Sequence, residues 1–280
     1  MVSDSRTVKR IQTSKSSFLT QPVLTVVIPT RDVARPLIRN CVRSLEIQNL
    51  ELFTTIIVDY GSSTNKFNEL MKDIENFDCT VYRYSTDEVW SLSIARNIGI
   101  RRATGEIIAT VDADLILEPD VLSTIVEQHK KTKNAFIVST VCNLHESMDL
   151  NEIHLPEDYI KLRNCKPRPG RGGVTSASRE WWHKVRAFDE RMRGWGAEDN
   201  DIWKRAGIDD RNLLDIQTFG LPYTKVYHQW HPFPILIKTK QLSEKKFREL
   251  RRTNKKIWKY DETVIRNDEN WGRWYKEMDS

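Results

Sequence analysis

The sequence predicts an α/β protein built on a mostly parallel sheet with helices on both faces. From Leu24 to Val141, strand-length apolar runs alternate with segments of helical periodicity, and no longer repeat is present. Several of those runs end directly on polar or acidic residues, as strands do where their carboxyl ends open onto a ligand site. Composition agrees. At 280 residues, 39% hydrophobic and 30% charged, the chain suits one large globular domain, or a compact domain with an extension, and is too apolar for disorder.

Leu24–Pro29 is β-branched, apolar and closed by proline, so it reads as a strand running into a loop. Leu37, Ile38, Cys41, Val42 and Leu45 recur at helical spacing, which makes Leu37–Gln48 a helix. Phe53–Val58 is the second strand and closes on Asp59-Tyr60-Gly61-Ser62. A helix through Phe67, Leu70, Met71 and Ile74 leads to a third strand, Cys79–Tyr84. Ser91–Ala103 is helical and ends at Thr104-Gly105. The fourth strand, Glu106–Val111, opens onto Asp112-Ala113-Asp114. Pro119 starts a helix reaching about Lys130, and Ala135–Val141 is the fifth strand. This order puts Thr30, Asp59 and Asp112–Asp114 on one rim of the sheet.

Beyond residue 150 the pattern is irregular. Lys166–Gly173 is a basic, glycine-rich loop, Arg179–Val185 is helical and aromatic, Glu198–Ala206 is a short helix, and Lys225–His228 is a strand. A long basic helix follows Pro234. Between Ile237 and Tyr260 stand ten Lys or Arg against only Glu244 and Glu249, within a chain of net charge +5. Such a run is a solvated helix face or the contact for an anionic partner, a membrane surface or nucleic acid. Residues 1–21, rich in Ser, Thr and Lys, read as a mobile tail.

No apolar run approaches the ~20 residues of a membrane helix. The N-terminus lacks an apolar signal core. Cys41, Cys79, Cys142 and Cys165 stand far apart without a C-x-x-C pair, so zinc ribbons and thioredoxin-like chemistry are unsupported and reduced thiols in a cytoplasmic protein are expected. No G-x-G-x-x-G or Walker motif is present, which disfavours dehydrogenases, kinases and P-loop enzymes.

Three clusters carry candidate chemistry. Asp112 and Asp114 follow an apolar strand, where two neighbouring carboxylates repel unless a cation answers them, and hard oxygen ligands suit Mg²⁺ or Mn²⁺. The D-x-D pattern alone is weak, since Asp199 and Asp201 form a second one. Gly194-Trp195-Gly196-Ala197-Glu198-Asp199 combines two glycines that permit close backbone approach, a flat aromatic face, and two acids at the start of a helix. Tyr227-His228-Gln229-Trp230-His231-Pro232 places two histidines at a strand end, either surface imidazoles or the remaining metal ligands. Asp59 can accept from a ribose hydroxyl or base N–H, or close an Asx turn.

The ordered set resembles glycosyltransferases of the GT-A fold, close to the large family-2 group. Val26-Val27-Ile28-Pro29-Thr30-Arg31, Ile57-Val58-Asp59-Tyr60-Gly61-Ser62, Ala95-Arg96-Asn97-Ile98-Gly99 and Asp112-Ala113-Asp114 carry the likeness. Phe188-Asp189-Glu190 through Asp199 looks like the carboxy-terminal catalytic region of galactosyl- and N-acetylgalactosaminyltransferases. Tyr60 stands where the family often has a second acid, and the segment from Ile237 matches nothing in the pattern.

The resemblance implies a metal-dependent transfer of a hexose or N-acetylhexosamine from a nucleoside-diphosphate sugar, a UDP-sugar first, to an acceptor hydroxyl. The acceptor would be a glycan, lipid-linked or small molecule; no nucleic acid is expected. Thr30, Arg31 and Asp59 would hold the nucleotide, with Arg96 near base or phosphate. Asp114, His228 and Asp112 would hold Mn²⁺ or Mg²⁺, His228 rather than His231 being the ligand. Trp195, Gly196 and Glu198 would shape the sugar and acceptor site, and Asp199 would be the general base. A single base implies inversion, with retention as the alternative. The parts are then a tail (1–21), a nucleotide-sugar subdomain (22–150), an acceptor and catalytic subdomain (151–236) and a basic helical extension (237–280). A sugar nucleotidyltransferase fits less well, because Pro29-Thr30-Arg31-Asp32 lacks the glycine-rich loop such enzymes carry after the first strand. A non-catalytic binding module fits less well because the acids at 112, 114, 198 and 199 are intact.

Overall fold

Leu24–Thr30 (β2) forms the centre of the sheet because every residue in it is apolar or small and every one is buried. It pairs in parallel with Phe53–Tyr60 (β3) on one side and Ile107–Val111 (β5) on the other. Thr80–Tyr84 (β4) continues the parallel run beyond β3. These strands are hydrophobic nearly throughout because helices cover both faces. Arg35–Glu46 (α1) starts with a proline in its first turn and buries Leu37, Ile38, Cys41, Val42 and Leu45. Thr64–Asp73 (α2) is capped by Ser63 and Leu92–Arg102 (α3) by Ser91. Val121–Lys131 (α4) precedes Ala135–Val138 (β7). A computed structural model of the chain describes residues 8–12, 21–167, 172–216, 225–231 and 242–273.

The eight-stranded sheet runs β1-β4-β3-β2-β5-β10-β7-β11. Three of its strands, β1, β10 and β11, were not legible in the sequence. Val8–Gln12 (β1), within the expected tail, pairs antiparallel with β4 at the edge. Val174–Ser178 (β10) lies antiparallel between β5 and β7, so the strands that are consecutive in the sequence reading are separated by an inserted one. Its sequence, VTSAS, carries no apolar run, yet Val174 to Ala177 are buried because the strand is enclosed by neighbours on both sides. Asn212–Asp215 (β11) closes the far edge.

A second, four-stranded sheet joins Leu115–Leu117 (β6), Val226–His228 (β12), Cys142–Asn143 (β8) and Lys166–Pro167 (β9). Tyr159–Leu162 (α5) packs beside it through Tyr159 and Leu162. Arg179–Lys184 (α6) buries Trp181 and Trp182 against Phe136 and Phe188. Glu198–Ile208 (α7) follows the glycine turn. Of the basic extension, residues 237–241 and 274–280 lie outside the described residues, as do 168–171 of the basic loop and Pro232. Glu244–Tyr260 (α8) is one 17-residue helix capped by Ser243. After it, residues 261–273 wrap back onto the body. Arg101 Nη1 donates to the Trp271 carbonyl at 2.6 Å, and Asn267 Nδ2 donates to the carbonyls of Arg186 and Phe188 at 2.6 Å. Residues 261–273 are thus tied both to α3 and to the segment around Arg186 and Phe188. All four cysteines are free thiols, three of them buried. Among the described residues no helix is long and apolar enough to cross a membrane.

Candidate active site

The carboxyl ends of β2, β3 and β5 form the expected rim. Thr30 closes β2 in register with Asp59 of β3, and Asp112 directly follows β5. Thr30 and Asp59 are buried. In the next strand Arg83 sits opposite Asp59, its Nε 3.5 Å from Oδ2. Burial pushes the Asp59 carboxyl up to about 6, against the pull of Ser62 and Arg83. The hydroxyl of Thr30 is buried without a hydrogen-bond partner. Two weakly answered polar groups on a buried strand end can receive a ligand's N–H or hydroxyl. Arg31 is fixed at the mouth of this edge, its Nη1 donating to the Glu88 carbonyl at 2.6 Å.

α3 carries Arg96 into the middle of the rim. The side chain is fully buried, and its guanidinium lies 4.8 Å from the centre of the Phe188 ring. Nη2 donates to Asp112 Oδ1 at 2.8 Å and Nη1 to Asp199 Oδ1 at 2.7 Å. Burial works against the arginine's charge, but the carboxylates of Asp199 and Asp112 outweigh it and raise its pKa. Desolvation pushes the Asp112 carboxyl up to about 6 despite Arg96. The residue expected near base or phosphate therefore ties one acid of the first D-x-D to the candidate base.

Asp114 serves a different pair. Its Oδ2 lies 3.4 Å from His228 Nε2 and 3.0 Å from His231 Nε2. Burial opposes its charge, but hydrogen bonds from the two imidazoles prevail and hold the carboxyl well below the usual carboxylate range. Local folding explains the meeting. β12 pairs antiparallel with β6, setting His228 opposite Leu115, the residue after Asp114. Gln229 then donates its backbone N–H to the Asp114 carbonyl at 3.0 Å. Its buried side chain donates to the Leu37 carbonyl and accepts from Asn40, both at 2.9 Å, so the chain turns and brings His231 back. One ligand atom from each of Asp114, His228 and His231 lies within 4.8 Å of the others. Asp114 Oδ1 is buried with no hydrogen-bond partner. A carboxylate with an orphaned oxygen and two imidazoles fits a divalent transition ion. The structure brings both histidines to this point, where the sequence reading chose His228 alone.

The glycine loop leads into Asp199, which Arg96 holds at the rim. Gly194, Gly196 and Ala197 adopt φ of +74°, +102° and +81°, a left-handed course that ends where Glu198 opens α7. Gly194 N–H donates to the Trp90 carbonyl at 2.7 Å, and Asn254 of α8 donates to the carbonyls of Arg193 (2.9 Å) and Gly196 (3.1 Å). Trp195 is half-buried beside Trp90, Phe247 and Leu250, with the Arg251 guanidinium 5.2 Å from its ring centre. Glu198 is buried, and its carboxyl is pushed up to about 7, by burial first and then by the charge of Asp199. Asp199 also abuts Gly172. That residue has φ +141°, and a Cβ on it would stand 2.7 Å from Asp199 Oδ2. The second D-x-D has a structural explanation. Asp201 is buried and paired with Arg205 at 2.9 Å and Arg266 at 3.1 Å.

Sequence reasoning missed Asn40, Gln229, Gly172 and Asn254. Each acts through a contact more than 25 residues away in the chain, so no local pattern marks it.

Comparison with known proteins bears on the same residues. The family model described as glycosyl transferase family 2 matches residues 25–191, and that described as N-terminal domain of galactosyltransferase matches 164–229. Validoxylamine A glucosyltransferase of Streptomyces hygroscopicus subsp. jinggangensis is 22% identical over 251 residues, covering 75% of this chain and 54% of that protein. Chondroitin synthase of Escherichia coli is 22% identical over 218 residues, covering 65% and 32%. The chain thus spans about half or less of the length of these relatives. Among solved structures, S. aureus TarS 1-349 in complex with UDP-GlcNAc superposes with TM-score 0.57 at 16% identity, covering 82% of this chain and 65% of that one. The mannosyltransferase PcManGT from Pyrobaculum calidifontis, in complex with GDP-Man and Mn2+, gives 0.55 at 17%, covering 80% and 61%. The GT-A fold expected from the sequence is the fold observed.

Proposed function

Because the chain belongs to glycosyl transferase family 2, we propose that it moves a hexose or N-acetylhexosamine from a nucleoside-diphosphate sugar, a UDP-sugar first, to an acceptor hydroxyl. The observation that carries this reading is the rim itself. Within it, Arg96 joins Asp112 to Asp199, and Asp114 gathers two histidines next to them.

Thr30, Arg31 and Asp59 hold the nucleotide in this reading. Asp114, His228 and His231 hold a divalent cation, with Asp112 two residues away. Two imidazoles favour Mn²⁺ over Mg²⁺, which prefers an all-oxygen shell. Such an ion supplies Lewis-acid stabilisation for the charge of the departing diphosphate. Structural neighbours bind ligands of this class: TarS is crystallised with UDP and with UDP-GlcNAc, and PcManGT with GDP-Man and Mn2+.

Asp199 takes the proton of the acceptor hydroxyl, which is a poor nucleophile until a carboxylate does so. Arg96 fixes one of its oxygens, leaving the other to accept. Trp195, Gly196 and Glu198 shape the sugar and acceptor side. One base and one displacement give inversion at the anomeric carbon.

The test is donor turnover without acceptor. With Mn²⁺ and a panel of nucleotide sugars, slow release of nucleoside diphosphate is expected from one of them. Pyrophosphate release would identify a nucleotidyltransferase instead, and binding without any release would identify a non-catalytic module.

A further inference from the structure

The charge run of the extension has a definite position. α8 lays Phe247 and Leu250 against Trp195, Trp90 and Val89, and Asn254 of the same face is buried under the glycine loop. Its remaining surface is cationic. The helix carries eight Lys or Arg against two Glu, and those two are paired with Arg248 and Lys246. Lys245, Arg248, Arg252, Lys256 and Lys259 are all exposed and recur at intervals of three and four, so they share one side of the helix. Arg251 connects that side to the site, with its guanidinium 5.2 Å from the Trp195 ring. From Lys245 to Lys259 the stripe runs ~21 Å at 1.5 Å per residue.

We propose that α8 is the docking rail for an anionic acceptor glycan, whose carboxylate or phosphate groups bind the stripe while its terminal sugar reaches Trp195. This rests on the transferase reading of the site. Charge complementarity and continuity with Trp195 select the occupant. A cationic helix that enters a lipid surface does so with an apolar face. On α8 Phe247 and Leu250 are packed into the protein, Ile257 and Trp258 are half-buried, and the one large exposed hydrophobic residue, Tyr260, stands at its last position. What faces outward suits a flexible hydrated polyanion running along the helix.

The experiment compares the full chain with the variant Lys245→Gln/Arg252→Gln/Lys256→Gln/Lys259→Gln. Fluorescence anisotropy is read with labelled oligogalacturonate and with a neutral maltooligosaccharide of the same length, and co-sedimentation with phosphatidylglycerol vesicles. The parent should bind oligogalacturonate, bind it more weakly as salt rises, and ignore the neutral chain. The variant should bind it about tenfold more weakly with an unchanged thermal midpoint, since the four side chains are exposed and lie off the core. No binding by the parent, equal binding of the neutral chain, or an unaffected variant overturns the proposal. Binding confined to vesicles assigns the stripe to a lipid surface and overturns it as well. If the variant unfolds, the parent's salt series and neutral-chain control still decide. Failure of the transferase reading shows separately, as absence of nucleoside diphosphate release by the parent without acceptor.

Discussion

Arg96 and Asp199 meet at 2.7 Å across 103 residues of chain, and the arginine is completely buried where they meet. This contact orients the candidate base. Oδ1 is held by the guanidinium, and Oδ2 lies against the backbone of Gly172. Asp199→Asn keeps the shape and removes the proton acceptor. Turnover should fall about 10²–10⁴-fold with donor affinity nearly unchanged. Single-turnover rates paired with donor titrations check this, and a rate within about threefold of the parent would assign the proton to another group.

Gly172→Ala tests the same geometry from the other side. The new Cβ would intrude on Asp199 Oδ2 at 2.7 Å, at a φ of +141° that side chains rarely adopt. Because a displacement of about 1 Å can cost on the order of 10²-fold, kcat should drop while the donor still binds. An unaltered kcat would mean that Asp199 is not positioned by this contact.

Removing Arg96 exposes the cost of its two partners. Arg96→Met leaves Asp112 and Asp199 without their shared cation in a crowded site. Breaking a buried pair costs about 3–5 kcal/mol, and the low end is expected because both carboxylates reach solvent. Urea denaturation at neutral pH measures the loss. Part of it should be regained in Arg96→Met/Asp112→Asn, and no regain would show that the pair is not coupled.

At the candidate metal site, His228→Ala and His231→Ala should each weaken Mn²⁺ binding by at least about tenfold, since both imidazoles reach Asp114 Oδ2. Isothermal titration with Mn²⁺ reads this directly. If His231→Ala binds like the parent, the ion sits on Asp114 and His228 and the second imidazole only orients the carboxylate. Chelation of the parent should abolish nucleoside diphosphate release, and Mn²⁺ should restore it.

Asp59 gives a pH signature. Burial moves its carboxyl from an ordinary 3.8 to about 6. Between those values the unfolded chain has lost the proton while the folded chain keeps it. The folded state then binds more protons, and stability falls as pH rises through that window. Asp59→Asn removes this slope, so the stability of the variant relative to the parent should rise from pH 4 to pH 6 by at most ~1.4 kcal/mol per pH unit. Donor affinity should drop in the same variant. Thermal midpoints across pH 4–7 decide; parallel curves for the two proteins would show that Asp59 is ionised throughout.

The sequence by itself determined the elements whose signal is local. β2, β3, β4 and β5 were legible because each is a short apolar run closed by a turn, and the helices between them because their apolar residues repeat at the helical period. Since such strands end on one rim, Thr30, Asp59 and Asp112 could be placed there before any contact was known. Tertiary structure alone decided what those residues touch. β10 is a strand because two neighbours enclose it, not because VTSAS has a pattern. Asp112 and Asp114 are alike and separated only by Ala113. One meets an arginine from α3, and the other meets two histidines delivered by a strand pairing more than 100 residues later. The basic run of α8 was visible as composition, but composition is silent on direction. Only the docking of Phe247, Leu250 and Asn254 fixed which side of the helix faces water and set Arg251 beside Trp195. Side-chain partners depend on distances between segments that chain order does not encode, so the chemistry of single residues was readable while their pairing was not.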